Sequence, residues 1–291
     1  MEIPNQYETT LIKTFKNDIW AKFIKSIKTY DLIQEGDKIA VCISGGKDSM
    51  LMAMCMKRLQ RYSQVPFEVE YLVMNPGYNE ENRQKILDNA AKLEIPIRMF
   101  ETRIFDAVVN IGNNPCYMCA RMRRGHLYKT AQDLGCNKIA LGHHFDDVVE
   151  TILMGMLYGS QMQTMMPKLH SENFEGMQLI RPLYLVREEA IIRWRIHNEL
   201  EFLQCACRFT ENIREDEHGG LTSKREEVKQ LLVQLRKSNP DVDKHIFRSA
   251  ENVNLQTLIS YHSGDDYHHF LDHYNEGRSI RGTKKKGDGS C

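Results

Sequence analysis

The chain has 291 residues, of which 42% are hydrophobic and 27% charged, a composition typical of a folded globular protein. Its 39 basic residues balance its 39 acidic residues, which excludes a uniformly basic protein that coats RNA. No apolar run approaches the ~18 residues of a membrane-spanning helix and residues 1–6 lack a signal-peptide pattern, so we expect a cytoplasmic protein.

A predicted amphipathic helix covers residues 11–30 near the start of the chain. Its apolar residues recur every three or four positions, and its opposite face carries five lysines, which include Lys22 and Lys25, against one acid. We expect residues 1–35 to form an N-terminal unit. The apolar face of this unit would either cover the sheet or join two copies in a homodimer.

Residues 36–220 show the alternation of an α/β domain. Short apolar strands are predicted at 38–43, 67–74, 96–100, 138–141 and 178–182. Amphipathic helices are predicted at 50–62, 80–93, 120–134, 147–158 and 187–200. This pattern favours a doubly wound, mainly parallel sheet, in which ligands bind at the carboxyl ends of the strands.

The pattern becomes helical further along the chain. Residues 221–275 predict a C-terminal helical extension, with helices at 224–237 and 241–261. The last segment, 276–291, is basic and rich in glycine, so we expect a disordered, solvated tail. The sequence shows no internal repeat.

A glycine-rich loop lies between the first predicted strand and the helix that follows. This loop consists of Ser44, Gly45, Gly46, Lys47, Asp48 and Ser49. Its two glycines and the positive end of the helix can present free backbone N–H groups to a phosphate chain. The loop is not a Walker A motif, which needs glycine at position 41 and serine or threonine at position 48. The alternative is a simple glycine turn. The strand-loop-helix context favours a nucleotide-binding loop.

Eight cysteines include two close pairs. Cys116 and Cys119 lie at the mouth of a predicted helix, and Cys205 and Cys207 follow much later. Four thiolates would form a closed zinc site, three on an iron–sulfur cluster would leave one iron open, and CxxC alone could be a redox pair. Three other cysteines are predicted to pack in the core, namely Cys42, Cys55 and Cys136.

A polar segment follows the fourth predicted strand, where side chains of a parallel sheet face the ligand crevice. Leu141, Gly142 and His143 are predicted to border the nucleotide, although His143 could equally be a packed histidine. Asp146 is either a catalytic carboxylate or a helix cap. For Asp147 the cap is the favoured interpretation.

Three motifs together carry a resemblance to a known family, namely Ser-Gly-Gly-Lys-Asp-Ser at 44–49, Cys-Tyr-Met-Cys-Ala-Arg-Met-Arg-Arg-Gly at 116–125 and Leu-Gly-His-His-Phe-Asp-Asp-Val-Val-Glu-Thr at 141–151. The chain resembles the tRNA 2-thiocytidine synthetases, which are PP-loop ATP pyrophosphatases with a Rossmann-like fold. The resemblance covers most of residues 10–255. It implies an enzyme that uses ATP and Mg²⁺ to thiolate cytidine 32 in the tRNA anticodon loop.

The resemblance also implies a [4Fe–4S] cluster that three cysteines hold. Cys116 and Cys119 match two of the family's ligands. The third is one of the later pair, where alignment of the following Asn212 favours Cys207 over Cys205. Sulfur would come from a cysteine desulfurase or free sulfide, and would reach the base from the open iron or from a persulfide on a later cysteine.

The chemistry of thiolation explains the need for a pyrophosphate loop. The C2 oxygen of cytosine is a very poor leaving group, and its attack on the α-phosphorus of ATP makes AMP the leaving group instead. Lys47 would offset the charge that develops in this transfer, and Asp48 would bind Mg²⁺ or orient the loop. Asp146 is the third predicted catalytic residue.

Basic residues are the predicted contacts to tRNA phosphates. Arg121, Arg123 and Arg124 follow the first cysteine pair without an acid among them, and Lys22 and Lys25 belong to the lysine face of the first helix. We expect these residues to meet one tRNA on one face of the enzyme. The alternative is that such charge runs are only a solvated surface.

Two other functions would explain parts of the sequence. Another PP-loop tRNA-modifying enzyme, for 2-thiouridine or lysidine synthesis, would use the same loop, but lysidine synthesis leaves both cysteine pairs unexplained. A zinc-stabilised RNA-binding module would leave the phosphate loop unexplained. The sequence therefore favours an ATP-dependent tRNA sulfurtransferase.

Overall fold

A computed structural model gives the fold and describes residues 5–104, 115–203, 224–272 and 274. The helix that begins at residue 115 is described, but the side chains of residues 115–117, 119 and 120 are not. The predicted tail, 276–291, lies outside the described residues.

Strands and helices alternate through most of the described chain. The helices are α1 Gln6–Ile12, α2 Ala21–Thr29, α3 Lys47–Tyr62, α4 Glu80–Lys92, α5 Pro115–Asp133, α6 Phe145–Tyr158, α7 Glu188–His197, α8 Lys224–Ser238 and α9 Val242–Glu251. The strands are β1 Lys38–Ile43, β2 Glu68–Asn75, β3 Ile97–Glu101, β4 Lys138–Ala140, β5 Lys168–His170, β6 Gln178–Ile180, β7 Ser260–Ser263 and β8 Asp266–His269. Within this part of the chain no helix is long and apolar enough to cross a membrane.

Six strands form one sheet in the order β3-β2-β1-β4-β6-β5. Five of them are parallel, and the short edge strand β5 is antiparallel to β6. The strand order reverses between β1 and β4, so the loops after these two strands leave the same edge of the sheet side by side. The predicted doubly wound, mainly parallel sheet is confirmed. β5 is an addition, because three residues are too few to show strand alternation.

Helices pack on both faces of the sheet because alternate strand residues point to opposite faces. Ile39, Val41 and Ile43 of β1 share one core with α1 to α4 and α7, whereas Ala40 packs beneath α5. A third apolar cluster joins α6 to α8 and α9. The predicted core positions of three cysteines are confirmed, since the structure buries Cys42, Cys55 and Cys136.

The predicted N-terminal helix is interrupted by a π-helical segment, Lys16–Trp20, between α1 and α2. Leu11, Phe15, Ile19 and Phe23 are spaced four residues apart and are all buried. Residues four apart do not stay on one face of an α-helix, which has 3.6 residues per turn. The wider π turn compensates for this difference, so all four side chains face the core. Of the two predicted roles, the apolar face therefore covers the core of its own chain.

The C-terminal extension is not wholly helical. The helix predicted over 241–261 ends at Glu251, and the hairpin of β7 and β8 follows. The side chain of Asn254 accepts the Gln256 N–H and starts a 3₁₀ turn, while Gly264 has a φ of +63° in the hairpin loop. Glycine and aspartate between alternating aromatic residues are the sequence signal for such a hairpin.

A buried ion pair fixes β4 beside the turn before β1. Lys138 is 1% exposed, and its Nζ lies 2.6 Å from Asp37 Oδ2 and 3.1 Å from the Leu32 carbonyl oxygen. Asp37 also accepts hydrogen bonds from the Gln34 N–H and the Asn137 side chain. The network holds together the two strands whose loops meet at the site described below.

Asp37→Ala should leave the Lys138 ammonium buried without its counter-charge, and we expect it to lower the free energy of unfolding by about 3–5 kcal/mol. Asp133→Ala is the control, because that carboxylate pairs with Lys129 on the surface, where such pairs contribute about 0–1 kcal/mol. Urea titrations measure both values. Equal losses in the two variants would contradict the importance of the buried pair.

Candidate active site

The glycine-rich loop leaves β1 at the carboxyl edge of the sheet and ends in α3. Gly45 has a φ of +84°, which favours glycine, and a Cβ atom there would lie 2.8 Å from the Ile86 side chain. Gly46 precedes α3 without a side-chain cap, so the first N–H groups of the helix can bind an anion. The Ser49 hydroxyl accepts the Ser44 N–H at 3.1 Å and donates to the Gly46 carbonyl oxygen at 3.0 Å. This geometry fits a phosphate chain.

The loop after β4 touches the glycine-rich loop directly. A Cβ atom on Gly142 would lie 3.1 Å from the backbone nitrogen of Ser49 and 3.2 Å from the carbonyl carbon of Asp48. Both contacts would be tighter than ordinary van der Waals contact, so glycine favours the close approach of the two backbones. Leu141 and His143 flank this contact. The structure therefore brings the predicted nucleotide-binding residues together in two adjoining loops.

His143 is half-buried beside these loops. Burial, followed by the positive charge of Arg181, lowers the pKa of its imidazole to about 4. Its Nδ1 has no hydrogen-bond partner among the described residues. A neutral imidazole can donate or accept a hydrogen bond according to its tautomer, so this nitrogen can serve a bound nucleotide or base.

His144 and Asp147 form the cap of α6. Asp147 Oδ2 accepts the His144 N–H at 2.9 Å, and His144 Nδ1 accepts the Asp147 N–H at 3.4 Å. This reciprocal arrangement is a capping box. The interpretation of Asp147 as a helix cap is confirmed.

Lys47 lies between two carboxylates at the start of α3. Its Nζ is 3.1 Å from Asp48 Oδ2 and 2.8 Å from Glu188 Oε1. Burial acts to lower the pKa of Lys47, but the two carboxylates outweigh it and raise the pKa above its ordinary value. Burial acts to raise the pKa of Glu188, and Lys47 outweighs it, so this pKa is lowered. Both groups are charged beside the phosphate loop.

Glu188 is a site residue that the sequence prediction misses. It is the first residue of α7, which follows β6, the neighbour of β4 in the sheet. The available signal is an acid at the start of a helix that follows a central strand. In a single sequence this signal indicates only a partner for the helix dipole, because acids are common in first turns.

Asp146 belongs to a ring of four charged side chains. Its Oδ1 lies 3.2 Å from Arg187 Nη2 and 3.3 Å from Arg236 Nη2. Both arginines also contact Asp243, Arg187 at 2.7 Å and Arg236 at 2.9 Å. The other carboxylate oxygen of Asp146 accepts the backbone N–H of Glu188 at 2.8 Å. We call these four side chains the charged ring; it joins α6 to α7, α8 and α9, and a catalytic role for Asp146 stays a prediction.

The later cysteine pair follows a segment that is bonded to the phosphate loop. The Leu203 N–H donates to the Gly45 carbonyl oxygen at 3.1 Å. Two residues earlier, the Glu201 carbonyl oxygen accepts a hydrogen bond from the Asn89 side chain at 2.8 Å. The segment therefore reaches the carboxyl edge of the sheet, while the cysteines beyond it lie outside the described residues, namely Cys205 and Cys207.

The first cysteine pair lies in the first turns of α5. This helix begins at Pro115 rather than near residue 120, since proline is favoured at the first helical position. Further along α5, Arg123 Nη2 donates to the Tyr78 hydroxyl at 3.2 Å, shortly after β2 ends. This contact puts the start of α5 at the carboxyl edge of the sheet. The thiols themselves lie outside the described residues, and the described side chains form no group of three or more metal-ligand types.

The two predicted basic surfaces lie over opposite faces of the sheet. α5 packs on the face of Ala40, whereas α2 packs through Phe23 on the other face. Four of the five predicted basic contacts are exposed, namely Arg121, Arg124, Lys22 and Lys25. Arg123 is half-buried. The sheet lies between the two sets, and the contact of both with one tRNA stays a prediction.

A glycine-rich loop at the strand-order reversal of a parallel sheet is the arrangement of a nucleotide-binding protein. The PP-loop domain family matches residues 13–211, so the protein is of the PP-loop class. The sequence is 35% identical over 240 residues to the tRNA-cytidine(32) 2-sulfurtransferase of Vibrio campbellii, across 80% of this chain and 76% of that protein. It is 33% identical over 240 residues to the enzyme of the same name from Citrifermentans bemidjiense, across 81% and 90%. The chain belongs to the tRNA-cytidine(32) 2-sulfurtransferase family.

A solved structure shares the fold. The U34-tRNA thiolase NcsA from Methanococcus maripaludis, determined with its [4Fe–4S] cluster, superposes with a TM-score of 0.61. The match covers 79% of this chain and 76% of that chain at 22% sequence identity. At this identity the likeness supports the arrangement of strands and helices.

Gly142→Ala should push the loop after β4 away from α3, because the new methyl group meets backbone atoms that cannot rotate aside. We expect the affinity for a non-hydrolysable ATP analogue to fall about tenfold, as a strain of about 1.4 kcal/mol would produce. Calorimetric titration measures this affinity.

Gly125→Ala is the matched control, since no atom lies within 4 Å of the Cβ position there and alanine suits a helix. This variant should bind the analogue like the original protein. Equal affinities in the two variants would show that the close approach at Gly142 does not shape the nucleotide site.

Proposed function

We propose that this chain catalyses the ATP-dependent thiolation of cytidine 32 in the anticodon loop of tRNA and forms 2-thiocytidine, AMP and pyrophosphate. The observation that carries the proposal is the hydrogen bond from Leu203 to Gly45, which joins the phosphate loop to the segment that leads into the later cysteine pair. The relatives from Vibrio campbellii, Alcanivorax borkumensis and Citrifermentans bemidjiense are each named tRNA-cytidine(32) 2-sulfurtransferase, which supports the choice of base.

The first step converts the C2 oxygen of cytosine into part of a leaving group. This oxygen attacks the α-phosphorus of ATP, the bond to pyrophosphate breaks, and an adenylated base forms. The free N–H groups of α3 and the Ser44 hydroxyl are proposed to hold the pyrophosphate, while the Ser49 hydroxyl, which donates to the Gly46 carbonyl oxygen, shapes the loop around it. The Lys47 ammonium offsets the charge that develops on it.

Asp48 is the proposed ligand of the Mg²⁺ that accompanies ATP. Its Oδ2 contacts Lys47, while its Oδ1 has no hydrogen-bond partner among the described residues. A carboxylate oxygen beside a phosphate loop is the kind of ligand that Mg²⁺ prefers. The bound cation would neutralise part of the triphosphate charge.

In the second step sulfur replaces the adenylated oxygen. Hydrosulfide attacks C2, the C2–O bond breaks with its electron pair leaving on AMP, and loss of the sulfur proton gives the thiocarbonyl. Leu141, Gly142 and His143 are the proposed neighbours of AMP, and the neutral imidazole of His143 would donate or accept one hydrogen bond there. Asp146 is proposed to act by holding the neighbouring helices in place, through the bonds of its carboxylate.

Three cysteines are the proposed ligands of a [4Fe–4S] cluster, namely Cys116, Cys119 and Cys207, with Cys205 as the alternative third ligand. Positions 116 and 119 lie one turn apart on α5, and four residues of chain carry position 207 at most about 14 Å from Leu203. Thiolates are the donors that iron–sulfur clusters require. When bound, a cluster with three protein ligands supplies an open iron position for incoming sulfur. The cluster in the U34-tRNA thiolase of similar fold supports this assignment.

The proposed tRNA surface is the exposed side of α5 next to the cysteine pair. Arg121 and Arg124 are exposed there and would contact phosphates of the anticodon loop. Free sulfide or a cysteine desulfurase is the proposed sulfur donor. The homodimer stays a prediction, and its interface would be a surface other than the buried apolar face of α1 and α2.

Protein prepared without oxygen should release pyrophosphate when tRNA, ATP and sulfide are present, and mass analysis of the nucleosides should find 2-thiocytidine. Cys116→Ala should lose iron, acid-labile sulfide and thiolation together, because the cluster loses a ligand. Cys136→Ala is the matched control, since that thiol is buried in the core. The iron contents of Cys205→Ala and Cys207→Ala identify the third ligand.

Three outcomes would count against these assignments. Stoichiometric zinc in fully active protein would contradict the cluster. A different modified nucleoside would contradict the choice of cytidine. A Cys205 or Cys207 variant that keeps its iron but loses thiolation would favour delivery of sulfur from a persulfide.

Arg121→Gln and Arg124→Gln should each raise the KM for tRNA by roughly threefold to tenfold and weaken its salt dependence, because each removes a phosphate contact. Lys129→Gln is the control on the same helix, since this lysine is paired with Asp133. Steady-state thiolation at several salt concentrations gives these values. If Lys22→Gln had the larger effect, the face that carries α2 would be the tRNA surface.

A further inference from the structure

We infer that Glu188 is the positioning residue of Lys47, and that the charged ring fixes Glu188 in place. The inference rests on the proposed function only where it assigns Lys47 to the pyrophosphate. Glu188 lies outside the three sequence motifs, so the inference adds a residue to the site. It also gives the C-terminal helices a part in the chemistry of the nucleotide.

Glu188 is the contact that fixes the direction of Lys47. Asp48 is the other carboxylate at the ammonium, but it belongs to the same helix turn and moves with Lys47. Glu188 belongs to α7, and its Oε1 is the nearer acceptor at 2.8 Å. A lysine side chain has many rotamers, so holding it from a second helix removes much of the conformational freedom that the reaction would otherwise have to restrict.

The charged ring fixes Glu188 through the backbone. The N–H of Glu188 donates to Asp146, and its neighbour Arg187 contacts both aspartates of the ring. Asp243 is 2% exposed, and Arg236 binds it through two nitrogens at 2.9 and 3.0 Å. Paired contacts of this kind fix orientation as well as distance. The first turn of α7 is therefore held from α6, α8 and α9.

Other charged groups face the pair. His144 Nε2 lies 3.9 Å from both the Asp48 and the Glu188 carboxylates, and Lys229 Nζ from α8 lies 3.9 Å from Glu188 Oε2. One oxygen of Glu188 thus faces the lysine of the phosphate loop, and the other faces a lysine of the C-terminal extension. This arrangement holds the carboxylate between two cations.

The consequence is a link between the C-terminal helices and the phosphate loop. The PP-loop domain match ends at residue 211, before α8 and α9 begin. These helices supply Arg236, Asp243 and Lys229, which contact the ring or Glu188 itself. A preformed Lys47 position requires less reorganisation as charge develops on the pyrophosphate, so the effect should appear in kcat.

The test compares Glu188→Gln with Glu189→Gln, a neighbouring exposed glutamate that pairs with Arg193. The first measurement is the rate at which Lys47 is acylated at one fixed pH in ATP-free protein, followed by peptide mass spectrometry. The contact with Glu188 holds the ammonium against a second helix, so Glu188→Gln should free the side chain and raise its acylation rate several-fold. Glu189→Gln should leave the rate unchanged.

The second measurement separates kcat from KM. Glu188→Gln should lower kcat for pyrophosphate release about tenfold or more and change the KM for ATP less than about twofold, because the pair acts mainly in the transition state. Glu188→Asp keeps the charge and should keep the acylation rate of Lys47 near that of the original protein. An unchanged acylation rate in Glu188→Gln would overturn the inference, whether or not the chain thiolates tRNA.

The ring is tested by Arg236→Gln, with the exposed Lys237→Gln as control. Arg236→Gln should shift Lys47 acylation in the same direction as Glu188→Gln and lower kcat by roughly threefold to tenfold. If it lowers only the melting temperature, with acylation and kcat unchanged, the ring does not position Glu188. Shifts in acylation without any thiolated cytidine would overturn the proposed function and leave the positioning of Lys47 standing.

Discussion

The close approach of two backbones at the strand-order reversal is the constraint on which the site depends. β1 and β4 are parallel neighbours, so their loops leave the sheet together, and Gly142 lets the second loop lie against the first turn of α3. The first N–H groups of α3, which have no side-chain cap, lie at the edge of the sheet where parallel α/β proteins bind ligands. A nucleotide bound there would contact both loops at once, which a single glycine turn could not achieve.

The electrostatics of this edge follow from burial. Charged groups that leave water need partners, because an unpaired buried charge is strongly destabilising. Asp146 and Asp243 are both buried, and two arginines satisfy them, Arg187 just before α7 and Arg236 on α8. The same bonds fasten α7 beside the phosphate loop, where Glu188 meets Lys47. One network therefore serves stability and the placement of a reactive charge.

Local patterns predict much of the fold and part of the site. The Ser44 to Ser49 loop, the strands around it and the cap role of Asp147 follow from turn chemistry, periodicity and capping preferences, which act over a few residues. The hairpin after Glu251 carries a local signal as well, in Gly264 between aromatic residues. β5 lacks such a signal, since its three residues depend on β6 for their conformation.

The charge pairs of the site, in contrast, join residues that are far apart in the sequence. Lys47 and Glu188 are 141 positions apart, and Asp146 and Arg236 are 90 apart, so their sequence neighbourhoods contain no trace of the pairing. The same holds for the two basic sets on α2 and α5, whose charges look alike in the sequence although the sheet separates them.

The sequence by itself determined the class of the protein, because the alternation of elements, the phosphate loop and the cysteine pairs are properties of short segments. Only the tertiary structure decided that Glu188 partners Lys47, that the charged ring ties four helices together and that the basic residues occupy opposite faces. The physical reason is that a side chain's partners depend on which elements the strand order brings together, and that order is settled by the packing of the whole sheet.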